Sequence, residues 1–158
     1  MKKNINDWLK AYGKSHQNST NKIIHWVCVP LITFTLLGLL SLFNYSFMIN
    51  EGNYNINLAS ILIIIAILFY SRLSLSLTIG MIFFTGICMY FITIIANTYT
   101  NQEIFWNYII VFTIAWIGQF IGHKVEGRKP SFFEDLQFLL IGPAWLLSFI
   151  YKKAGLKY

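Results

Sequence analysis

The stretch from His16 to Pro30 reads HQNSTNKIIHWVCVP, and in it a polar segment with two histidines runs directly into apolar sequence. On one unbroken α-helix His16 and His25 would lie on roughly opposite faces, since each residue turns the helix by about 100°. The intervening asparagines, serine and threonine are residue types that cap helices and form turns. We therefore predict a break after His16 and a helix that begins near Ser19 or Thr20 and carries His25 two turns in.

Two neighbours of His25 bear on its environment. Asn21 precedes His25 by four residues and so shares its helix face, where its amide is expected to orient the imidazole or to contact a bound ligand. Pro30 lies inside the same helix. Because proline removes a backbone hydrogen bond there, we expect a kink beside His25.

The composition is that of an integral membrane protein. Of the 158 residues, 56% are hydrophobic and only 11% are charged, against about 25% charged in soluble domains. The length corresponds to a single membrane domain over residues 1–158. The net charge of +6 is spread over short flanks beside apolar runs, which suits anionic membrane lipid; no nucleic-acid-binding motif occurs.

Hydropathy predicts an all-α, polytopic helical bundle with four to five membrane segments. Before them, Ile5, Trp8, Leu9 and Tyr12 recur at helical spacing and Gly13 offers a stop, which predicts a short N-terminal interfacial helix. The apolar runs then cover residues 26–43, 58–70, 73–96, 104–122 and 136–151, with polar loops at 44–57 and 97–103. Because Pro143 interrupts the last run, we expect that run to be re-entrant or shallow.

Basic residues predict the orientation. The positions that flank the cytoplasmic ends are Lys2, Lys3, Lys10, Lys14, Lys22, Arg72, Lys124, Arg128 and Lys129. The positive-inside rule therefore places the N-terminal segment and the loop after the fourth run in the cytoplasm. With four crossings, every histidine in the chain, namely His16, His25 and His123, reaches the cytoplasmic face.

The fourth run ends in a polar stripe. Trp116, Gln119, His123 and Glu126 recur at spacings of three and four, so a helix that continues past Gly122 would carry all four on one face. Such a stripe at a membrane helix end is costly unless its members are paired. Gly118 and Gly122 form a small-xxx-small pattern, which predicts the close approach of another helix.

Three histidines at one depth indicate a metal site, since neutral imidazole is the commonest metal ligand. Three imidazoles would leave up to three positions of an octahedral iron(II) open, enough for a bidentate substrate and dioxygen. Glu126 with two histidines would instead give the facial triad of two histidines and a carboxylate. Zinc fits the same ligands.

Two spaced motifs resemble those of the membrane family of iron(II)-dependent 2-hydroxy-fatty-acid dioxygenases. They read His16-x4-Asn21-x3-His25-x4-Pro30 and Trp116-x2-Gln119-Phe-Ile-Gly-His123-x2-Glu126-x3-Pro130. The resemblance implies Fe(2+) as the cofactor and His16, His25 and His123 as its ligands. It implies alpha-oxidation, in which a 2-hydroxy fatty acid reacts with dioxygen and is shortened by one carbon.

The remaining motif positions are expected to support that site. Asn21, Gln119 and Glu126 match the family motifs, and we assign them to the outer shell of the metal or to substrate binding, with Glu126 outside the ligand set. Arg128 could offset the substrate carboxylate. The alternatives are a non-catalytic membrane scaffold and a small transporter, although the polar clusters lie at helix ends and no internal repeat is present.

Overall fold

The computed structural model describes residues 4–49, 52–127 and 138–158. Those ranges contain six α-helices and one β-hairpin. The elements are α1 (Ile5–Lys14), α2 (Ser19–Ser41), β1 (Asn44–Ile49), β2 (Gly52–Asn57), α3 (Leu58–Ser71), α4 (Leu75–Thr98), α5 (Asn101–Val125) and α6 (Ile141–Lys153). The all-α class is therefore confirmed, with the addition of a two-stranded antiparallel hairpin.

The break between the two early histidines is confirmed. Helix α1 ends at Lys14, and α2 begins at Ser19 behind the N-cap Asn18. The side chain of Asn18 accepts hydrogen bonds from the backbone N–H groups of Thr20 and Asn21, at 2.8 and 3.4 Å. These bonds satisfy donors of the first turn, so α2 starts where the capping residues predict. The helix then continues through Pro30.

Helices α2 to α5 form an up-and-down bundle, as two buried clusters at its opposite ends indicate. One cluster joins Leu37 near the end of α2, Ala59 at the start of α3, Ile92 near the end of α4 and Ile104 at the start of α5. The other joins residues from the opposite ends, among them Val29 of α2. Each of these helices therefore runs antiparallel to the next.

Glycines bring α2 and α5 together. A Cβ atom built on Gly118 would lie 2.7 Å from Sγ of Cys28, and one built on Gly122 would lie 2.4 Å from Oδ1 of Asn21. Both distances are shorter than real Cβ atoms show. The small-xxx-small pattern of α5 thus lets α2 approach, as predicted.

Helices α1 and α6 cover the end of the bundle that carries the histidines. Ile5, Leu9 and Tyr12 of α1 are buried with Trp145 and Leu146 of α6. The amphipathic face of α1 therefore contacts protein, and its position in the membrane interface stays a prediction.

The last apolar run, which is expected to be re-entrant or shallow, contains a short helix, and its depth in the membrane stays a prediction. Pro143 was expected to interrupt that run, but α6 begins at Ile141 and carries Pro143 in its first turn. A proline there costs little, because the N–H groups of the first turn have no intrahelical partner. With 13 residues, α6 is about 20 Å long. It is shorter than a membrane span.

Within the described ranges, three helices are long and apolar enough to cross a membrane, namely α2, α4 and α5. Their outward faces, like that of α3, present large apolar side chains such as Leu68, Phe83 and Ile114, which are 58%, 72% and 62% exposed. An apolar exterior of this extent is typical of lipid-facing surface. Helix α3 is apolar but has 14 residues, so three of the four to five predicted membrane segments have a candidate helix, and the larger number stays a prediction.

Two loops differ in detail from the predicted ones. In the polar segment, residues 44–49 and 52–57 pair as the two strands of the hairpin, and Asn44 pairs with Asn57. The predicted loop at 97–103 is reduced to Tyr99 and Thr100, because a capping box of Thr100 and Glu103 starts α5 at Asn101. The possible capping box of Ser131 and Glu134 lies outside the described residues.

Candidate metal centre

The three histidines meet although they come from three different elements. His16 lies in the turn between α1 and α2, His25 lies two turns into α2, and His123 lies in the last turn of α5. One ring nitrogen from each falls within 4.8 Å of the others. The side chains are 3%, 2% and 7% exposed, respectively. The predicted continuation of α5 past Gly122 is what brings His123 to this point.

The backbone of α1 orients the His16 ring. Nδ1 of His16 lies 2.7 Å from the carbonyl oxygen of Tyr12. Because a carbonyl only accepts, Nδ1 carries the proton and donates it. Neutral His16 then has its lone pair on Nε2, which lies 3.1 Å from Nε2 of His25. The Tyr12 ring stacks on the His16 ring with centroids 4.2 Å apart.

The Tyr12 hydroxyl also contacts His25, at 3.2 Å from its Nδ1. A phenol can donate or accept, so the hydroxyl permits a proton on Nδ1 of His25 and a lone pair on Nε2. Trp145 of α6 completes the wall, with its ring 5.4 Å from that of His16. Sequence reasoning placed Tyr12 in the membrane interface only. The missed signal was its spacing of four residues from His16 at the end of α1.

Glu126 turns towards the loop that carries His16. Its carboxylate accepts from the backbone N–H groups of Gln17, at 2.6 Å, and Asn18, at 3.0 Å. It also accepts from Nδ2 of Asn21 at 2.9 Å. Partial burial alone would raise the pKa of Glu126, but these hydrogen bonds and the nearby His16 lower it below its ordinary value. The carboxylate is therefore ionised at neutral pH, with its oxygens engaged by the turn.

Asn21 links the two motifs. It is fully buried, and its Nδ2 also lies 3.5 Å from the carbonyl oxygen of Ser15. Its amide thus hydrogen-bonds to Glu126 and the turn, and the expected contact with His25 or with a bound ligand stays a prediction. Among the described residues its Oδ1 has no hydrogen-bond partner and faces Gly122.

Gln119 and Trp116 line a cavity beside His25. The cavity has a volume of about 30 Å³ and is also bordered by Tyr12 and Thr33. It can hold a molecule or two of the size of water. Gln119 is 4% exposed, and its Nε2 has no hydrogen-bond partner among the described residues. A buried amide without a partner costs free energy, so this donor is available to a ligand in the cavity.

The donor set fits a transition metal. Three buried imidazoles converge, the tautomer of His16 is set by a backbone carbonyl, and His25 contacts a hydroxyl through its other nitrogen. This outer support of the ring that would ligate is typical of histidine metal sites. The carboxylate of Glu126 is not part of the group, and Arg128 lies outside the described residues.

Comparisons with known proteins show which family the chain resembles. The model of the family described as 2-hydroxy-palmitic acid dioxygenase Mpo1-like matches residues 2–154. The chain is also 29% identical over 149 residues to the 2-hydroxy-palmitic acid dioxygenase MPO1 of Saccharomyces cerevisiae. The aligned region covers 91% of this chain and 78% of the yeast protein. No solved structure matches the chain.

Proposed function

Since the chain belongs to the Mpo1-like family of 2-hydroxy-palmitic acid dioxygenases, we propose that it is an iron(II)-dependent dioxygenase of long-chain 2-hydroxy fatty acids. The proposed reaction is alpha-oxidation. The bond between C1 and C2 of the substrate breaks, dioxygen is reduced, and the products are carbon dioxide, water and the acid one carbon shorter. Atoms and electrons balance without a further reductant.

The observation that carries this proposal is the convergence of His16, His25 and His123 at a buried point beside a small cavity. These three residues would hold the iron. Bound iron(II) supplies dioxygen activation and open coordination positions for the substrate hydroxyl and carboxylate. Tyr12 would hold the rings of His16 and His25 in place, and Glu126 with Asn21 would hold the turn that bears His16.

The cavity beside His25 supports the assignment of the substrate head group. The unpartnered Nε2 of Gln119 would donate a hydrogen bond to the carboxylate or hydroxyl of the substrate. The rings of Tyr12 and Trp116 border the same space and would limit the access of water. A non-hydroxylated acid would offer only its carboxylate and is expected to be a poor substrate.

The same proposal includes the position of the metal site at the cytoplasmic side of the membrane. The three histidines lie at the ends of α2 and α5 that the basic residues predict to be cytoplasmic. A fatty acid in that leaflet would bring its head group to the metal and leave its tail among apolar side chains.

The test uses purified full-length protein. Loaded with iron(II), it should consume dioxygen with a long-chain 2-hydroxy acid and release the acid one carbon shorter. Metal analysis should find a single iron per chain, which His16→Ala, His25→Ala and His123→Ala each remove. Trp106→Ala, at an exposed position at the other end of α5, is the control. Well-folded, iron-loaded protein that leaves 2-hydroxy acids unchanged would contradict the proposal.

A further inference from the structure

A second cavity adjoins the one beside His25. Thr33 and Leu139 line both cavities, so these side chains form the wall that the two cavities share. The second cavity has a volume of about 50 Å³ and lies between α2, α3, α4 and the residues just before and at the start of α6. The two cavities therefore lie side by side, from His25 to the space between α2 and α3.

The second cavity presents hydrocarbon to its contents. Its three hydroxyl-bearing residues use their hydroxyls on backbone carbonyls: Thr33 donates to Val29, Thr85 to Met81 and Tyr70 to Leu140. The other lining residues are apolar. A polar ligand would find no available side-chain hydrogen-bond partner there, whereas an alkyl chain has no hydrogen bonds to lose on entering the cavity.

The two cavities follow one face of α2. His25, Ile32 and Leu36 are seven and four residues apart, which puts them on the same face. Ile32 lines the first cavity and Leu36 lines the second. The distance along α2 from His25 to Leu36 is about 16 Å. One leaflet of a ~30 Å hydrocarbon core has nearly the same depth, which is the reach of a long acyl chain.

Packed side chains border the far end of the second cavity. Leu37 lines the cavity and belongs to the buried cluster with Ala59 and Ile92. Ala66 of α3, which is 8% exposed, forms part of the side wall. The path formed by the two adjacent cavities thus begins at His25 and ends among residues of three helices.

A neighbouring apolar cavity of about 110 Å³ differs in position. It is bordered by Trp26, Pro30 and Ile150 and lies beside the histidine end of α2. Trp26 and Ile150 are 42% and 51% exposed, so that cavity faces the exterior. It shares the lining residues Met81 and Pro143 with the second cavity.

We propose that the acyl tail of the 2-hydroxy acid lies in the interior path along α2, and that the packing of α3 against α2 sets the preferred chain length. This inference rests on the proposed function for the position of the head group. The tail would pass Thr33 and Leu139 and end at Leu37. Helix α3 would then be part of the substrate site in addition to the scaffold.

The position of the tail is tested by photo-crosslinking. A long-chain 2-hydroxy acid with a diazirine near its terminal methyl is bound to iron-loaded protein without dioxygen, irradiated, and located by peptide mapping. Labelling should fall on α3 and on residues 33–37, and unlabelled 2-hydroxy acid should compete. Labelling confined to outward residues such as Phe83, or to Trp26 and Ile150, would overturn the proposal.

Chain-length preference provides the second test. Ala66→Leu fills the side wall and should favour shorter acids, whereas Leu36→Ala enlarges the path and should favour longer ones. Each should change the ratio of kcat/KM for long and short acids by roughly tenfold, the effect of a misfit methylene in an apolar pocket. Iron retention should not change. Ala96→Leu, at an exposed site on α4, should leave the ratio as it is.

The results separate the two proposals. Turnover of 2-hydroxy acids with unshifted ratios in both variants would overturn the tail site alone. Labelling of α3 without any turnover would contradict the proposed reaction and support the tail site.

Discussion

At the residue scale, Tyr12 connects the N-terminal helix to the candidate metal centre through two different atoms. Its carbonyl oxygen accepts from His16, and its hydroxyl contacts His25. One buried residue therefore restrains two of the three rings. Its packing against Trp145 ties the same restraint to α6.

Replacing Glu126 should loosen the metal without removing it. Glu126→Gln keeps the shape of the side chain but removes its negative charge. It thereby weakens the hydrogen bonds that the carboxylate accepts from the backbone N–H groups of Gln17 and Asn18. We expect iron affinity to fall by about 10- to 100-fold, as for other groups that support metal ligands from outside. Competition with a chelator measures the change.

The control is Glu103→Gln, which alters the capping box at the opposite end of the same helix. It should leave iron affinity unchanged. Complete loss of iron from folded Glu126→Gln protein would favour a direct carboxylate ligand instead.

Replacing Gln119 should weaken substrate binding more than it lowers the stability of the protein. Gln119→Leu removes a buried amide whose Nε2 has no partner among the described residues, so the variant should unfold at the same temperature or higher. The substrate would lose a hydrogen bond to a charged group, and its KM should rise by about 10- to 100-fold. Steady-state oxygen consumption and thermal unfolding measure the two effects.

Gln102→Leu, at an exposed position on the same helix, should change neither quantity. An unaltered KM in Gln119→Leu protein would exclude the amide from the substrate site.

At the scale of elements, the contact of α2 with α5 positions the candidate centre, since the two helices carry His25 and His123. Gly122 lets Asn21 of α2 pass close to the α5 backbone. Asn21 in turn contacts Glu126 at the end of α5. The same residue, Asn21, therefore lies at the close contact of the two helices and supports the candidate metal centre.

Gly122→Ala should destabilise the protein and release iron more readily. The added methyl group would meet Oδ1 of Asn21, and overpacking of this kind costs about 1–3 kcal/mol. Gly86→Ala is the matched control, because no heavy atom of the described residues lies within 4 Å of its added Cβ. It should be neutral or stabilising by about 0.5–1 kcal/mol. Equal unfolding temperatures and iron affinities in the two variants would contradict this account.

At the scale of the whole molecule, the up-and-down order of α2 to α5 puts the histidines at one end of the bundle and the β-hairpin at the other. The loop between α4 and α5 lies with the hairpin, because Ile104 packs with Leu37. Basic residues of the described ranges, such as Lys14, Lys22 and Lys124, lie at the histidine end, which predicts that this end faces the cytoplasm.

Cysteine accessibility in intact cells checks the orientation. In a background with Cys28 and Cys88 replaced, Lys14→Cys and Lys124→Cys should both be shielded from an impermeant reagent. Tyr99→Cys, at the opposite end, should react. If position 14 and position 124 differ in accessibility, the two histidine motifs are on different sides of the membrane and the site cannot form.

The sequence by itself determined the features that depend on local interactions. Capping residues predict the break after His16 and the start of α2 at Ser19, and helical spacing places Gln119 and His123 on one face of α5. The glycine pattern also predicts a close helix contact. Such features follow from backbone hydrogen bonding within a few residues, so that a local pattern is sufficient.

Only the tertiary structure decided which partners these residues meet. Glu126 binds the backbone of Gln17, 109 residues away, and Tyr12 contacts His25 across the break between two helices. The same is true of the alkyl-lined path between α2 and α3. No local pattern encodes such contacts, because they arise when whole helices pack. Local sequence patterns therefore predict which element carries each histidine, whereas the convergence of the three rings depends on the packing of the bundle.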